Sequence, residues 1–185
     1  MQGIPLNERK RLGALLDDRP QTEVMAMIPQ FAQAETDNFV APPAQIPEAL
    51  GVLMFNMERG VNLPEIQEFL RDCPDIQPFD VILANELDDG CARSGNKNTA
   101  RELAQAFGLN YAWGLEFIEL VNDENAKGFH GNAVFSRWPI CRAGVIRLPE
   151  QYNWYFDRQK RIGGRLAVFA ELDVGGQPVL SLIHI

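Results

Sequence analysis

Two stretches decide how this chain folds: Leu50-Gly-Val-Leu-Met-Phe-Asn-Met-Glu-Arg-Gly60 and Phe79-Asp-Val-Ile-Leu-Ala-Asn-Glu-Leu-Asp-Asp-Gly90. Each is a short apolar run closed by polar residues, Asn56 in the first and Asn85 with Glu86 in the second. An apolar run of strand length bounded by turn residues predicts a strand buried on both faces. Between the two runs, Asn62 is placed to cap a helix from Leu63 to Cys73, with Ile66, Phe69 and Leu70 on one face. Strand, helix, strand with short links is a βαβ unit. Open α/β sheets gather ligands at the C-terminal ends of their strands. An amide and a carboxylate at two such ends suit a hard cation, which takes oxygen ligands. Asn56 and Glu86 are therefore expected to share a magnesium site, with manganese as the substitute.

Downstream of Gly90, Asn98 or Thr99 opens a helix through Leu103, Ala106 and Phe107 that Gly108 closes. The rhythm then becomes extended over Leu109 to Val121, Asn132 to Ser136 and Cys141 to Leu148. Arg165 to Val174 alternates, and Gly175-Gly176 predicts a hairpin into Val179-Leu180. Helix-linked strands followed by hairpins imply a mixed sheet with helices outside. Upstream, residues 1–48 read as an appended helical and proline-rich extension, and 49–185 as the domain proper. Leu12, Leu15 and Leu16 have helical spacing up to Pro20; Thr22 is placed to cap a second short helix that Pro29 breaks. Ala41-Pro42-Pro43 and Ile46-Pro47 make a stiff connector.

With 185 residues the chain suits one domain with a real core. A net charge of −8 argues against a surface that coats nucleic acid, though a bound metal can invert the local field of a nuclease. Three cysteines without a Cys-x-x-Cys pair indicate neither a disulfide framework nor a zinc cluster, which points to a reducing, cytoplasmic setting. No run is long enough to span a bilayer.

The motifs resemble the endonuclease/exonuclease/phosphatase family, metal-dependent phosphoesterases related in fold to deoxyribonuclease I. Phe55-Asn56-Met57-Glu58-Arg59-Gly60 is similar to the family's first motif, a strand ending in a metal-site Asn. Ile82-Leu83-Ala84-Asn85-Glu86-Leu87 is similar to the second, with Asn85 in place of the usual Gln. His130-Gly131-Asn132-Ala133-Val134-Phe135-Ser136-Arg137-Trp138-Pro139-Ile140 resembles its Gly-x-Ala-Ile-Leu-Ser-Arg-x-Pro-Ile strand. The resemblance implies an α+β, two-sheet sandwich flanked by helices, a phosphodiester or phosphomonoester substrate that could be nucleic acid, and a metal held by Glu86 and Asn56. A binding module of the same fold that has lost catalysis is the alternative.

Without the resemblance, Glu86 reads as a solvated strand end beside Asp88 and Asp89, and Asn56 as a turn residue. His130 reads as a structural histidine, or as a contact to substrate phosphate. Arg158, Lys160, Arg161 and Arg165 read equally as a solvated basic loop or as phosphate ligands, for which Arg suits bidentate contact. Arg165 is the best placed of them because it opens a strand, and Asn132 joins it as a candidate substrate contact. The aromatic run Tyr152 to Phe156 could wall a cleft or pack on the sheets. The family's Gly-Asp-x-Asn and Ser-Asp-His motifs do not occur, and the chain closes on Ser181-Leu-Ile-His-Ile185. The reading is an incomplete frame with a non-native tail over Leu182 to Ile185, inactive as it stands.

Overall fold

A computed structural model describes residues 1–150 and 152–184, without the side chain of Asp157. Ile185, the last residue of the expected tail, lies outside the described residues. Among the described residues nine strands form two sheets: β1 (Ala34–Asp37), β2 (Val52–Arg59), β3 (Val81–Asp89), β4 (Asn110–Glu119), β5 (Phe129–Ser136), β6 (Ile140–Arg147), β7 (Arg161–Gly163), β8 (Leu166–Val174) and β9 (Gln177–His184). The larger sheet runs β1-β4-β5-β3-β2, with β7 also paired to β4; the smaller runs β6-β8-β9. The helices are α1 (Leu6–Ala14), α2 (Gln21–Ala26), α3 (Leu63–Asp72), α4 (Thr99–Phe107) and the short α5 (Trp154–Asp157). The fold is thus the expected α+β sandwich of two sheets flanked by helices.

The βαβ unit is present: β2 and β3 pair in parallel, Val52 opposite Val81 through Asn56 opposite Asn85, and α3 makes the crossover. Asn62 precedes α3 but its side chain makes no capping bond. Asn98 does cap α4, its side chain accepting the Arg101 N–H at 2.9 Å. Gly108 ends that helix in the left-handed region. Gly175 and Gly176 both have positive φ, as a two-residue β8–β9 hairpin of this twist requires.

One core lies between the large sheet and the helices, built from residues such as Leu70, Ile82, Leu87, Leu103, Trp113 and Phe135. The other lies between the sheets, where Val81, Ala112 and Val134 meet Val168, Leu172 and Ile183. β2 is not buried on both faces as its sequence predicts. It is an edge strand, and β9, which ends the small sheet, packs over β3 and β5. Val52 and Met54 are therefore 58% and 68% exposed, while Leu53 and Phe55 pack against the helix-side core.

The first 48 residues contribute a strand, β1, to the edge of the large sheet, and Ile4, Leu12, Leu16, Val24, Ile28 and Phe31 to the helix-side core. α2 starts at Gln21 after Pro20, so Thr22 lies inside it and does not cap it. The Gln21 side chain instead accepts the Gly163 N–H at 3.0 Å. Arg147 donates to the Phe31 carbonyl at 2.7 Å and sits over the Phe31 ring. Burial pushes its guanidinium down to about 10.

Candidate active site

Three β-bulges fall side by side at one end of the large sheet. Between Asn56 and Arg59, β2 carries one residue more than β3. Between Ala84 and Leu87, β3 carries one more than β5, so that Asn85 and Glu86 oppose Asn132. Between Leu115 and Phe117, β4 carries one more than β5, and the extra residue is Glu116. A bulge re-aims the side chain it carries and bends its strand. Glu58, Glu86 and Glu116 each fall within one of these irregularities. Glu58, Arg59 and Glu86 all adopt left-handed backbone, at φ +46, +67 and +59. Each costs of order 1–3 kcal/mol for a residue with a Cβ, a kind of strain that clusters at functional sites.

The sequence candidates are distributed as follows. Asn56 is exposed, and its Oδ1 accepts the Glu58 N–H at 2.8 Å, closing an Asx turn. An amide oxygen has a second lone pair, so this bond leaves room for a cation. The half-buried Glu86 carboxylate is engaged by no hydrogen bond or ion pair among the described residues, while its backbone N–H donates to Asn132 Oδ1 at 3.2 Å. Asn85 Nδ2 donates to the same oxygen at 3.3 Å. Asn132 is fully buried and its Nδ2 has no partner. It therefore fixes the Glu86 turn from beneath. An amide oxygen and a carboxylate are donors of the chemistry magnesium takes, which keeps several waters and binds through one or two carboxylates plus substrate phosphates. No group of three or more His, Cys, Asp or Glu side chains among the described residues is placed to hold a metal.

His130 is buried within β5, and its Nδ1 lies 2.8 Å from Asp88 Oδ1. Asp88 also takes a two-pronged bond from Arg93, at 2.7 and 2.9 Å. Burial opposes the Asp88 charge, but the Arg93 and His130 hydrogen bonds outweigh it and hold the carboxyl below its ordinary value. Arg165 is not free for phosphate: its Nη1 donates to Glu116 Oε1 at 2.8 Å. Burial pushes the Glu116 carboxyl up, against the opposing pull of His130 and Arg165. Arg161 is stacked between Phe117, at 3.8 Å, and Trp154, at 4.3 Å. Arg158 and Lys160 stay exposed, over the rings of Tyr152 and Tyr155. Trp154 thus packs on the sheet end, whereas Tyr152 and Phe156 remain exposed.

Asp88 and Glu116 are the two residues that sequence reasoning missed. A signal existed for each. Asp88 follows Glu86 by two positions on one strand, and Glu116 interrupts a buried apolar run from Tyr111 to Ile118. A cavity of about 420 Å³ lies on the arm side of Arg165, lined by Met25, Ile28, Phe31, Val145 and Leu148 among others. It is apolar and contains none of Asn56, Glu86 or His130.

A two-sheet α+β sandwich with a polar row at the C-terminal end of its parallel strand pair defines the deoxyribonuclease I-like class of fold. Solved structures of endonuclease/exonuclease/phosphatase proteins share this fold. The chain is similar to one from Beutenbergia cavernae, with a TM-score of 0.50 and 21% identity over 72% of this chain and 36% of that one. It is also similar to a family protein from Leptotrichia buccalis, with a TM-score of 0.49 and 19% identity over 72% of this chain and 54% of that one. A 3′ phosphatase from Neisseria bound to a product DNA hairpin matches with a TM-score of 0.39 and 20% identity, over 71% of this chain and 40% of that one. The chain thus spans roughly a third to a half of the length of these structures. By sequence, neither a described family nor a curated protein matches it. No helix among the described residues is long and apolar enough to cross a membrane.

Proposed function

We propose that this protein is a magnesium-dependent phosphoesterase whose cation is held by Glu86 and Asn56, at the bulges of β3 and β2. The observation that supports it most is the unengaged Glu86 carboxylate, fixed in left-handed backbone by Asn132 beside the Asn56 turn. A cation bound there would polarise a phosphoryl oxygen and steady the leaving group. Asn132 holds Glu86 in place through its bond to the Glu86 backbone. The substrate is a phosphodiester or phosphomonoester, nucleic acid being within its range. The resembled family's water-orienting Asp-x-Asn and closing Asp-His motifs have no counterpart in these 185 residues. We therefore infer that this chain by itself turns over poorly.

The test is a thermal titration with Mg²⁺ and Mn²⁺, run beside hydrolysis of bis(p-nitrophenyl) phosphate. A ligand that binds only the native state raises its stability by mass action. A rise in Tm with cation, lost in Glu86→Ala, supports the reading. No response to either cation in the wild type sinks it. That outcome would favour a binding module of the same fold, a reading suggested by the lack of a three-ligand cluster among the described residues.

A further inference from the structure

The apolar cavity on the arm side of Arg165 is walled by three separate parts of the chain. These are α2 with the short turn after it, the end of β6, and residues 163–165 between β7 and β8. Residue size explains why the space is there. Ala26, Ala32 and Gly164 line it where larger side chains would fill it, and a Cβ at Gly164 would meet nothing within 4 Å. At about 420 Å³ the cavity falls in the range of about 300–1,000 Å³ that small-molecule sites occupy. Such sites combine an apolar lining with a few polar groups that orient the ligand. The charged groups of this lining are Arg147, Arg165 and Glu150.

The two arginines leave positive charge at the wall. Arg147 donates from Nε and both Nη atoms to the backbone carbonyls of Phe31, Gly164 and Leu115, and it forms no ion pair among the described residues. Carbonyl dipoles solvate a guanidinium without neutralising it, and a charge drawn out of water without a counterion favours an anion beside it. Arg165 donates only from Nη1, to Glu116 Oε1 at 2.8 Å. Most of its five N–H donors are therefore unengaged among the described residues. Glu150 is exposed, at the rim, and pairs with neither arginine. We propose that this cavity binds an anionic amphiphile, a carboxylate on an aliphatic chain of medium length. The chain lies among Met25, Ile28, Phe31, Val145 and Leu148. The carboxylate is met by Arg165, since a guanidinium fork matches a carboxylate, within the field of Arg147. The site shares no residue with the Asn56 and Glu86 pair and does not depend on the phosphoesterase reading.

The probe is decanoate, kept below its critical micelle concentration and titrated into the full chain beside decanol, acetate and decyltrimethylammonium. The Met25 methyl signal and the amide signals of Gly163 and Gly164 report on the cavity. Decanoate is expected to shift them saturably and to bind at least about tenfold more tightly than decanol, because one charge-assisted contact is lost with the alcohol. Acetate and decyltrimethylammonium are expected to produce no saturable shift. This ligand series is read on the wild type, so it needs no variant to fold. Glu150→Gln removes a like charge from the exposed rim and is expected to tighten decanoate binding about two- to fivefold. Gly164→Leu, whose Cβ meets open space, is expected to abolish binding by filling the cavity. The proposal is overturned by the absence of a saturable decanoate shift, by decanol or acetate binding as well as decanoate, or by decyltrimethylammonium binding more tightly. Weaker binding in Glu150→Gln, or undiminished binding in Gly164→Leu, overturns it equally.

Discussion

The side-chain oxygen of Asn132 accepts the backbone N–H of Glu86 at 3.2 Å, and this one bond joins the bulge of β3 to the strand beside it. Glu86 is held in left-handed backbone at that point. Asn132 also takes the Asn85 amide on the same oxygen. Removing it leaves two donors without their acceptor. Asn132→Leu is expected to cost about 1–3 kcal/mol, read from urea unfolding, and to weaken any cation response that depends on Glu86. A variant as stable as the wild type would show that the turn holds itself.

Asp88 and Glu116 give stability opposite slopes with pH. The Asp88 carboxyl lies below its ordinary value of 3.8, so the unfolded state binds its proton first. Its contribution is complete above that value and is lost as pH falls through the lower, folded one. The Glu116 carboxyl lies above its ordinary value of 4.5, so the folded state holds the proton more tightly. Its contribution is complete below 4.5 and is lost as pH rises through the folded value. Glu116→Gln mimics the protonated form. The variant should therefore gain on the wild type as pH rises from 5 to 8, in urea midpoints measured across that range. A constant difference would contradict the raised value.

Gly163 has φ +130, and a Cβ there would run into the backbone carbonyl of Glu116. The close approach lets β7 pair with β4 beside the Glu116 bulge. Gly163→Ala is expected to destabilise by about 1–3 kcal/mol through forced backbone shifts, and to disturb the Arg165 contact to Glu116. Calorimetry checks the first effect, and the side-chain resonances of Arg165 the second.

Two apolar residues near this row should respond very differently to truncation. Met54 on β2 is 68% exposed, so Met54→Thr should change stability by no more than about 0.5 kcal/mol. Leu87 on β3 is fully buried, and Leu87→Ala should cost about 2–5 kcal/mol. Parallel urea titrations decide. A large loss at Met54 would mean that β2 is covered in solution.

The sequence by itself determined part of the element order, without β1, β7 or α5. Local signals sufficed for the βαβ unit, for α4 with its Asn98 cap and Gly108 stop, and for the Gly175-Gly176 hairpin. Each depends on residues within a few positions of one another. Tertiary structure alone decided which strand lies at an edge, because the exposure of β2 depends on where β9 stops. It also decided the site. Register shifts between strands placed Glu86 against Asn132, and Glu116 beside His130. Asp88 and His130 are 42 positions apart and meet only because β3 and β5 pair antiparallel. A bulge is set by how two strands fit, and neither strand's sequence records it alone.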